Sequence, residues 1–329
     1  MLDYFETLDA KSKELNIIMD QSTAKRTLKD YIGLTLRGFC MGASDIVPGV
    51  SGGTMAFILG IYEELIESIK SIDLKVIKLL LAFKLKEVFN IVPWQFLLSV
   101  LIGILLAILT LAQGLEWLLE NKPIFLWAFF FGLVLSSGIT VSKRVSGWQQ
   151  KTIAGVVLAA IVAWIIVGAV PVRTTDALWF VFLSGAIAIC AMILPGISGS
   201  FILVILGKYE TVLSALNDRN LVLLIVFAAG AAIGLITFAQ VVSWLFKRYH
   251  DVTVAVLMGL MLGSLRKIWP WKETISTTLD RHGEVVPLEQ INIGPPSFGS
   301  EFIIAIGLAI VGFLVVILLD NLANRQEIA

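Results

Sequence analysis

Two copies of a Pro-Gly-x-Ser-Gly motif hold the residues best suited to chemistry in this sequence. The first copy runs from Pro48 to Gly53 and the second from Pro195 to Ser200, 147 positions later. In both copies a Leu-Gly pair and then a Tyr-Glu pair follow at the same spacing. Proline cannot continue a helix and glycine adopts backbone conformations that other residues avoid, so each motif predicts a break in an apolar helix.

Breaks of this kind, if they lie inside a membrane, predict an anion site. An unpaired backbone group in hydrocarbon costs several kcal/mol, so such a break must be buried in protein or line a wet cavity. A helix that begins there points its free N–H groups and positive dipole end into the cavity. The candidate substrate-binding residues of the two motifs are Ser51, Gly52, Gly53, Thr54, Ser198, Gly199 and Ser200.

The alternative interpretation is that the small residues only let helices pack closely. We assign that role to two other pairs, Gly230 with Gly234 and Gly259 with Gly263. Packing alone does not require proline and a hydroxyl in both copies, so for the motifs we favour the binding site.

Two ionisable residues lie in the apolar sequence before the first motif, where such residues are expected to be functional. Arg37 could meet an anionic group with its planar donor fork, and Asp45 could hold the amides of the broken loop or carry a coupling proton. In the alternative, Arg37 reaches the inner interface and Asp45 only caps the next turn.

Weaker candidates, each recurring in both halves of the chain, are Glu63, Glu210, Gln113 and Gln240. The glutamates are expected to mark the water boundary, with a transport role as the alternative. The glutamines would line the cavity or form hydrogen bonds between helices.

Composition shows where these residues must work. Apolar residues make up 57% of the 329 positions and charged residues 15%, against about 45–50% and about 25% in soluble domains. The chain is therefore predicted to be a polytopic membrane protein. Its 25 Lys and Arg balance 25 Asp and Glu, which argues against a nucleic-acid partner. Two cysteines and two histidines predict neither a disulfide framework nor a metal site, and we expect no cofactor, no catalytic residues and no enzymatic activity.

A membrane-spanning helix needs about 20 mainly apolar residues, and several stretches meet that length. The predicted spans are 94–119, 124–142, 152–170, 221–246, 252–269 and 302–319. Four shorter apolar pieces flank the two motifs, at 31–47, 50–66, 178–194 and 197–213.

Lys and Arg in the connections predict the orientation, because retained cytoplasmic loops are enriched in them. The segments placed in the cytoplasm are 1–30, 67–92, 143–151 and the tail 321–329, and the polar loop 270–300 lies outside. Apolar residues and lysines alternate at helical spacing within 67–92. This predicts an amphipathic helix at about 70–90, either on the inner leaflet or as a solvated linker.

The chain is predicted to be all-α and built from two repeats, 31–171 and 172–320, of five segments each. Besides the motifs, Gln113 and Trp117 match Gln240 and Trp244 at an offset of 127. Each repeat crosses the membrane an odd number of times whether its short pieces span or re-enter, so the repeats must be inverted. Inverted repeats with matching broken or re-entrant helices are typical of secondary transporters, whose substrate binds near the midplane.

The stretch from Gly42 to Thr54, together with Leu194 to Ser200, resembles the signature of the polyprenyl-phosphate transporter family, also described as undecaprenyl-phosphate translocases. The resemblance covers about residues 30–320. It implies a plasma-membrane protein that returns undecaprenyl phosphate from the outer to the inner leaflet for reuse in surface polymers. Composition and spacing themselves do not identify a lipid.

The repeated breaks and the family resemblance together predict alternating access as the mechanism. Arg37 and the two motifs hold the phosphate while the repeats rock, with proton or sodium coupling through Asp45. A homo-oligomer is left open. The competing functions are transport of a small soluble anion and an intramembrane lipid phosphatase, the second disfavoured because no nucleophile–base pair is visible.

Overall fold

The computed structural model describes residues 26–47, 49–172, 174–279 and 285–328, and the described chain is mostly helical. Pro48 and most of the predicted segment 1–30 lie outside the described residues. In chain order the helices are α1 (Leu28–Ile46), α2 (Gly52–Ile58), α3 (Tyr62–Lys70), α4 (Leu74–Leu81), α5 (Leu85–Ile91), α6 (Trp94–Asn121), α7 (Pro123–Ser142), α8 (Gln150–Val167), α9 (Leu178–Ile193), α10 (Gly199–Ile205), α11 (Tyr209–Asn217), α12 (Leu221–Ser264) and α13 (Ser300–Ile328). An antiparallel hairpin of β1 (Lys272–Leu279) and β2 (Val285–Asn292) lies between α12 and α13.

Among the described residues, five long apolar helices agree with the prediction of a polytopic membrane protein. Helices α6, α7, α8, α12 and α13 are each long and apolar enough to cross a membrane. Helix α12 has 44 residues, about 66 Å at 1.5 Å per residue, which is twice the thickness of the hydrocarbon layer. It bends at Tyr249, whose φ of −140° and ψ of 51° are not helical. Its two arms, 221–248 and 250–264, correspond to the spans predicted at 221–246 and 252–269.

The two breaks have the same backbone geometry. The Val50 N–H donates to the Val47 carbonyl oxygen at 3.1 Å, and Gly49 between them has a φ of +89°. At the second break the Ile197 N–H donates to the Leu194 carbonyl oxygen, and Gly196 has a φ of +91°. A four-residue turn with glycine in this conformation at its third position is a type II turn, which also favours proline at the second. The Pro-Gly pair therefore encodes the turn directly.

A second bend follows each short helix that leaves a break. The predicted pieces 50–66 and 197–213 are each two helices, because Gly60 and Gly207 have positive φ values of 75° and 62° and end α2 and α10. Helices α10 and α11 meet at an angle of 106°. The short helices α2 and α10 therefore start at a break and stop after seven residues.

Close contacts at glycine pair the helix before each break with a long helix of the same half. A Cβ atom added to Gly103 on α6 would lie 2.0 Å from the carbonyl oxygen of Thr35 on α1. A Cβ atom added to Gly230 on α12 would lie 2.0 Å from the carbonyl oxygen of Phe182 on α9. Gly103 and Gly230 are separated by the offset of 127, and Thr35 and Phe182 by the offset of 147. Gly230 therefore packs as predicted, with no room for a side chain.

The remaining long helices pair across the two halves. Gly132 on α7 approaches α13, where an added Cβ would lie 1.8 Å from the Ala309 carbonyl oxygen. Gly259 on the second arm of α12 approaches α8, where it would lie 2.3 Å from the Val156 carbonyl oxygen. The predicted packing role of Gly259 is thus confirmed. The last long helix of each half packs on the other half, so the two halves interlock.

Two regions differ from prediction. The single amphipathic helix expected at about 70–90 is two short helices, α4 and α5. Phe83 lies between them with a φ of +54°, which interrupts the helix. The loop at 270–300 contains the β1–β2 hairpin, which the all-α prediction omitted. The β-branched residues within β1, Lys272–Leu279, favour a β-strand. In the hairpin, Lys272 of β1 pairs with Asn292 of β2.

Substituting Gly103 tests the close contact of α1 with α6. A methyl group there would overlap backbone atoms that cannot move alone, and overpacking of this kind costs about 1–3 kcal/mol or more. We expect Gly103→Ala to lower the thermal unfolding midpoint of the purified protein. Gly114→Ala is the control in the same helix, because nothing lies within 4 Å of its added Cβ. Equal midpoints for the two variants would contradict the packing.

Candidate functional site

The first break satisfies its own amide groups. The Gly52 N–H donates to Asp45 Oδ1 at 2.6 Å, and the Gly53 N–H donates to Ser51 Oγ at 3.1 Å. A Cβ added to Gly52 would lie 2.3 Å from Asp45 Oδ2, so only glycine fits beneath the carboxylate. The start of α2 is therefore capped from within the protein. The contact fits both interpretations of Asp45, holding the amides of the broken loop and capping the next turn, and a coupling role stays a prediction.

The two breaks contact each other. Ser51 Oγ donates to the Met192 carbonyl oxygen at 3.2 Å, and the Gly196 N–H donates to Thr54 Oγ1 at 2.8 Å. A Cβ added to Gly53 would lie 2.5 Å from the Ile193 carbonyl oxygen. The structure thus brings together three predicted site residues of the first motif and the turn of the second.

The two short helices differ in their surroundings. All seven residues of α2 are buried, whereas only Gly199 and Leu203 are buried in α10. At the start of α10, Ser200 is exposed and its Oγ lies 2.8 Å from Ser198 Oγ. Met192 occupies the position that corresponds to Asp45, so α10 has no carboxylate cap. Of the predicted residues of the second motif, Ser200 is exposed, Ser198 is half-buried and Gly199 is buried.

A cavity of about 360 Å³ opens beside both breaks. Its walls include Gly49 from the first break and Ser200 and Phe201 from the start of α10. The turn after α12 contributes Arg266 and Lys267. The end of α8 and the β1–β2 hairpin complete the walls, so the cavity lies at the hairpin end of the helix bundle.

Lys267 reaches furthest toward the breaks. Its Nζ lies 4.3 Å from the centre of the Phe201 ring, a distance at which the aromatic face attracts a cation. A Cβ added to Gly49 would lie 2.9 Å from Lys267 Cγ. A positive charge is therefore held between the first break and the first turn of α10.

Two more cations line the cavity near Lys267. Lys272 Nζ lies 4.5 Å from the centre of the Trp127 ring and donates to the Lys267 carbonyl oxygen at 2.6 Å. The Arg266 guanidinium lies 5.1 Å from the centre of the Trp164 ring. Burial, and to a smaller extent the charge of Lys267, lowers the pKa of Lys272 to about 7.

Other predicted residues lie away from this cavity. Arg37 is half-buried on α1, eight residues before Asp45 and hence about 12 Å from it along the helix axis. Glu63 is exposed, with Oε1 3.3 Å from His250 Nε2, and Glu210 is exposed as well. Gln113 and Gln240 are also exposed, and neither is among the residues that line the cavity.

Sequence comparison assigns the family. The profile of the undecaprenyl phosphate translocase-like family matches residues 41–286, which include both motifs and the cations of the cavity. The chain belongs to this family. The resemblance inferred from the two motifs is thereby confirmed.

Two curated relatives of this chain are each named polyprenyl-phosphate transporter. The one from Vibrio cholerae is 43% identical over 302 residues, which cover 90% of this chain and 98% of the relative. The one from Staphylococcus aureus is 28% identical over 256 residues, covering 71% and 85%. No solved structure matches the chain. The family is one of membrane transporters, in agreement with the prediction that the chain is not an enzyme.

The sequence predictions missed the three cations of the cavity. Arg266 and Lys267 lie at the end of the span predicted at 252–269, and Lys272 lies in the loop 270–300 predicted to be outside. The signal in the sequence is the density of charge, since the three cations fall within seven residues at the end of that span and the start of the loop.

The pH dependence of stability tests the environment of Lys272. Its lowered pKa means that the folded state disfavours the charged form of Lys272. The resulting loss of stability is complete below about pH 7. It decreases as the pH rises toward about 10.4, the usual pKa of lysine. We expect Lys272→Met to gain more in thermal midpoint, relative to the wild type, at about pH 6.5 than at about pH 9. Exposed Lys151→Met should show no such pH dependence, and an equal gain at both pH values for Lys272→Met would contradict the assignment.

Proposed function

We propose that this protein carries undecaprenyl phosphate or a related polyprenyl phosphate across the plasma membrane, with the phosphate in the cavity beside the two breaks. The single observation that carries the proposal is a cation-lined cavity that reaches both breaks of an apolar helical protein. The names of the two relatives support the same substrate class. A phosphate inside a membrane needs such donors because hydrocarbon provides none.

The cavity walls also suit a lipid tail. Val170 and Val204 line the cavity and are 46% and 37% exposed, on the side of α8 and α10. Apolar residues exposed beside a polar cavity would let a polyprenyl chain stay in the bilayer while its phosphate enters the protein. A cavity that binds a small soluble anion does not require an apolar wall of this kind.

Two inverted repeats, 31–171 and 172–320, account for the architecture. The matching φ values at Gly49 and Gly196 and the matching helix contacts at Gly103 and Gly230 support this duplication. In each proposed repeat, one helix enters the membrane and ends at a break. A short helix then leads back to the same side, and three membrane-spanning helices follow. An odd number of crossings inverts one repeat relative to the other.

Contacts at the end opposite the hairpin support alternating access. Glu67 on α3 accepts a hydrogen bond from Ser243 Oγ at 2.5 Å and lies 3.2 Å from Lys247 Nζ, both on α12. Glu63 contacts His250 near the bend of α12. The equivalent helices of the other half, α11 and α6, have no comparable packing among the described residues. We interpret this conformation as closed at the α3 end and open at the hairpin end.

The distribution of Lys and Arg supports a direction of transport. With both termini and the α3 end in the cytoplasm, as that distribution predicts, the open cavity would face outward and collect lipid from the outer leaflet. In the opposite state Gly53 and Thr54 would line the cavity, since they correspond to Ser200 and Phe201. Arg37 would meet the phosphate only in that state. Coupling to protons or sodium through Asp45 stays a prediction.

A leaflet-resolved assay tests the function. Vesicles containing undecaprenyl phosphate are treated with a membrane-impermeant phosphatase, which reaches inner-leaflet lipid only after it has crossed. We expect wild-type protein to make the inner pool accessible and Gly52→Leu to abolish this, because the larger side chain collides with Asp45. Gly114→Ala should retain flux.

The same vesicles separate the competing functions. Uptake of inorganic phosphate without lipid crossing would assign small-anion transport instead. Phosphate release from the lipid by the protein alone would assign a lipid phosphatase. Either result would reject the proposed function.

The contacts of α3 with α12 can be tested as a gate. Thr140 is 2% exposed and corresponds to Lys267 of the other half. In a variant whose native cysteines are replaced by serine, Thr140→Cys should react slowly with an impermeant thiol reagent added at the α3 end. Glu67→Gln weakens charge-assisted hydrogen bonds to α12 and should raise the labelling rate several-fold. Exposed Glu116→Gln is the control, and equal rates in both variants would reject the gate.

A further inference from the structure

We propose that Lys267, flanked by Arg266 and Lys272, is the binding site for a phosphomonoester headgroup, and that the β1–β2 hairpin forms part of this site. The inference rests on the proposed transport function and identifies the residues that recognise the substrate. It moves the main anion contact of the outward-open state from the helix ends to the turn after α12.

Glu289 of β2 also lines the cavity, but among the described residues it forms no ion pair with Arg266, Lys267 or Lys272. Within the described part of the chain, none of these three cations has a carboxylate oxygen within 4 Å. Like charges in a partly buried site repel one another unless an anion lies between them. A phosphomonoester carries about −1.5 to −2 charges at pH 7 and three acceptor oxygens, which suits a site lined by one arginine and two lysines.

Aromatic rings hold the cations without neutralising them. Lys267 lies against Phe201, and Lys272 lies against Trp127. Contacts with ring faces fix the positions of these amines but do not use up their N–H donors as a carboxylate would. The amines are thus positioned in advance for a ligand in the cavity.

Glycines make room for two of the long side chains. A Cβ added to Gly168 would lie 2.1 Å from Arg266 Nη1, and one added to Gly49 would lie 2.9 Å from Lys267 Cγ. Any other residue at either position would displace a cation. Both glycines also line the cavity.

The hairpin holds the turn that carries the cations. Asn292 Nδ2 donates to the Arg266 carbonyl oxygen at 2.8 Å, and Trp269 Nε1 donates to the Ile293 carbonyl oxygen at 2.8 Å. The Ile293 N–H donates to the Trp271 carbonyl oxygen at 3.1 Å. The end of β2 is thereby fastened to the turn on both sides of Lys267, which gives the hairpin a role in positioning the site.

Binding of undecaprenyl phosphate to the purified full-length protein in nanodiscs tests the site. Hydrogen bonds to charged groups contribute about 1.5–3 kcal/mol, so Lys267→Gln should weaken binding about tenfold or more. Lys272→Gln should weaken it as well. The control is Lys151→Gln, which removes the same charge from an exposed position at the start of α8 and should leave affinity unchanged.

Further variants and probes separate this site from a folding defect and from the proposed function. Lys267→Arg keeps the charge and should restore most of the affinity, whereas a general defect would not be rescued. Unchanged affinity in Lys267→Gln, with normal lipid crossing, would overturn the site and leave the proposed function intact. A third outcome is possible, in which the wild type neither binds nor moves the lipid but binds inorganic phosphate. If Lys267→Gln then loses phosphate binding, the anion site is supported and the lipid function is rejected.

Discussion

The structure depends on one constraint, which is that hydrocarbon provides no hydrogen-bond partner for an open backbone. A helix broken within an apolar bundle must satisfy its amides inside the protein, and the motif residues do this. Asp45 accepts from the Gly52 N–H, Ser51 accepts from the Gly53 N–H, and Thr54 accepts from the Gly196 N–H of the other break. The two breaks can exist because they lie against each other.

This arrangement joins the halves of the chain at their least regular points. The long helices strengthen the junction, because α13 packs on α7 and α8 packs on α12, each across the halves at glycine. A cavity at such a junction is bounded by elements of both halves, so a change in their relative position changes its shape. At the second break Ser200 is exposed and Ser198 is half-buried, whereas Ser51 and Thr54 at the first are buried. Equivalent sequences therefore occupy different environments in one conformation.

The sequence predicted much of this and missed the cations. Proline, glycine and hydroxyl residues in two equally spaced copies identified the breaks, and apolar length identified the spans. Arg37 was named because an arginine in apolar sequence is conspicuous, yet α1 carries it about 12 Å from Asp45. Lys267 and Lys272 were overlooked because they follow a helix end, where Lys and Arg are common. The contact of Lys267 with Phe201 joins residues distant in sequence. The β1–β2 hairpin is local, and its β-branched residues are a signal that the all-α prediction did not use.

The sequence by itself determined the membrane location, the spans, the two breaks and the family, because apolar length, turn-forming residues and repeated spacing are local properties. Tertiary structure decided which break is covered, where the cavity opens and which charges it contains. Those features depend on how the turn after α12 packs against α8, α10 and the hairpin. Spacing along one chain does not encode such contacts, since segments far apart must first fold together to form them.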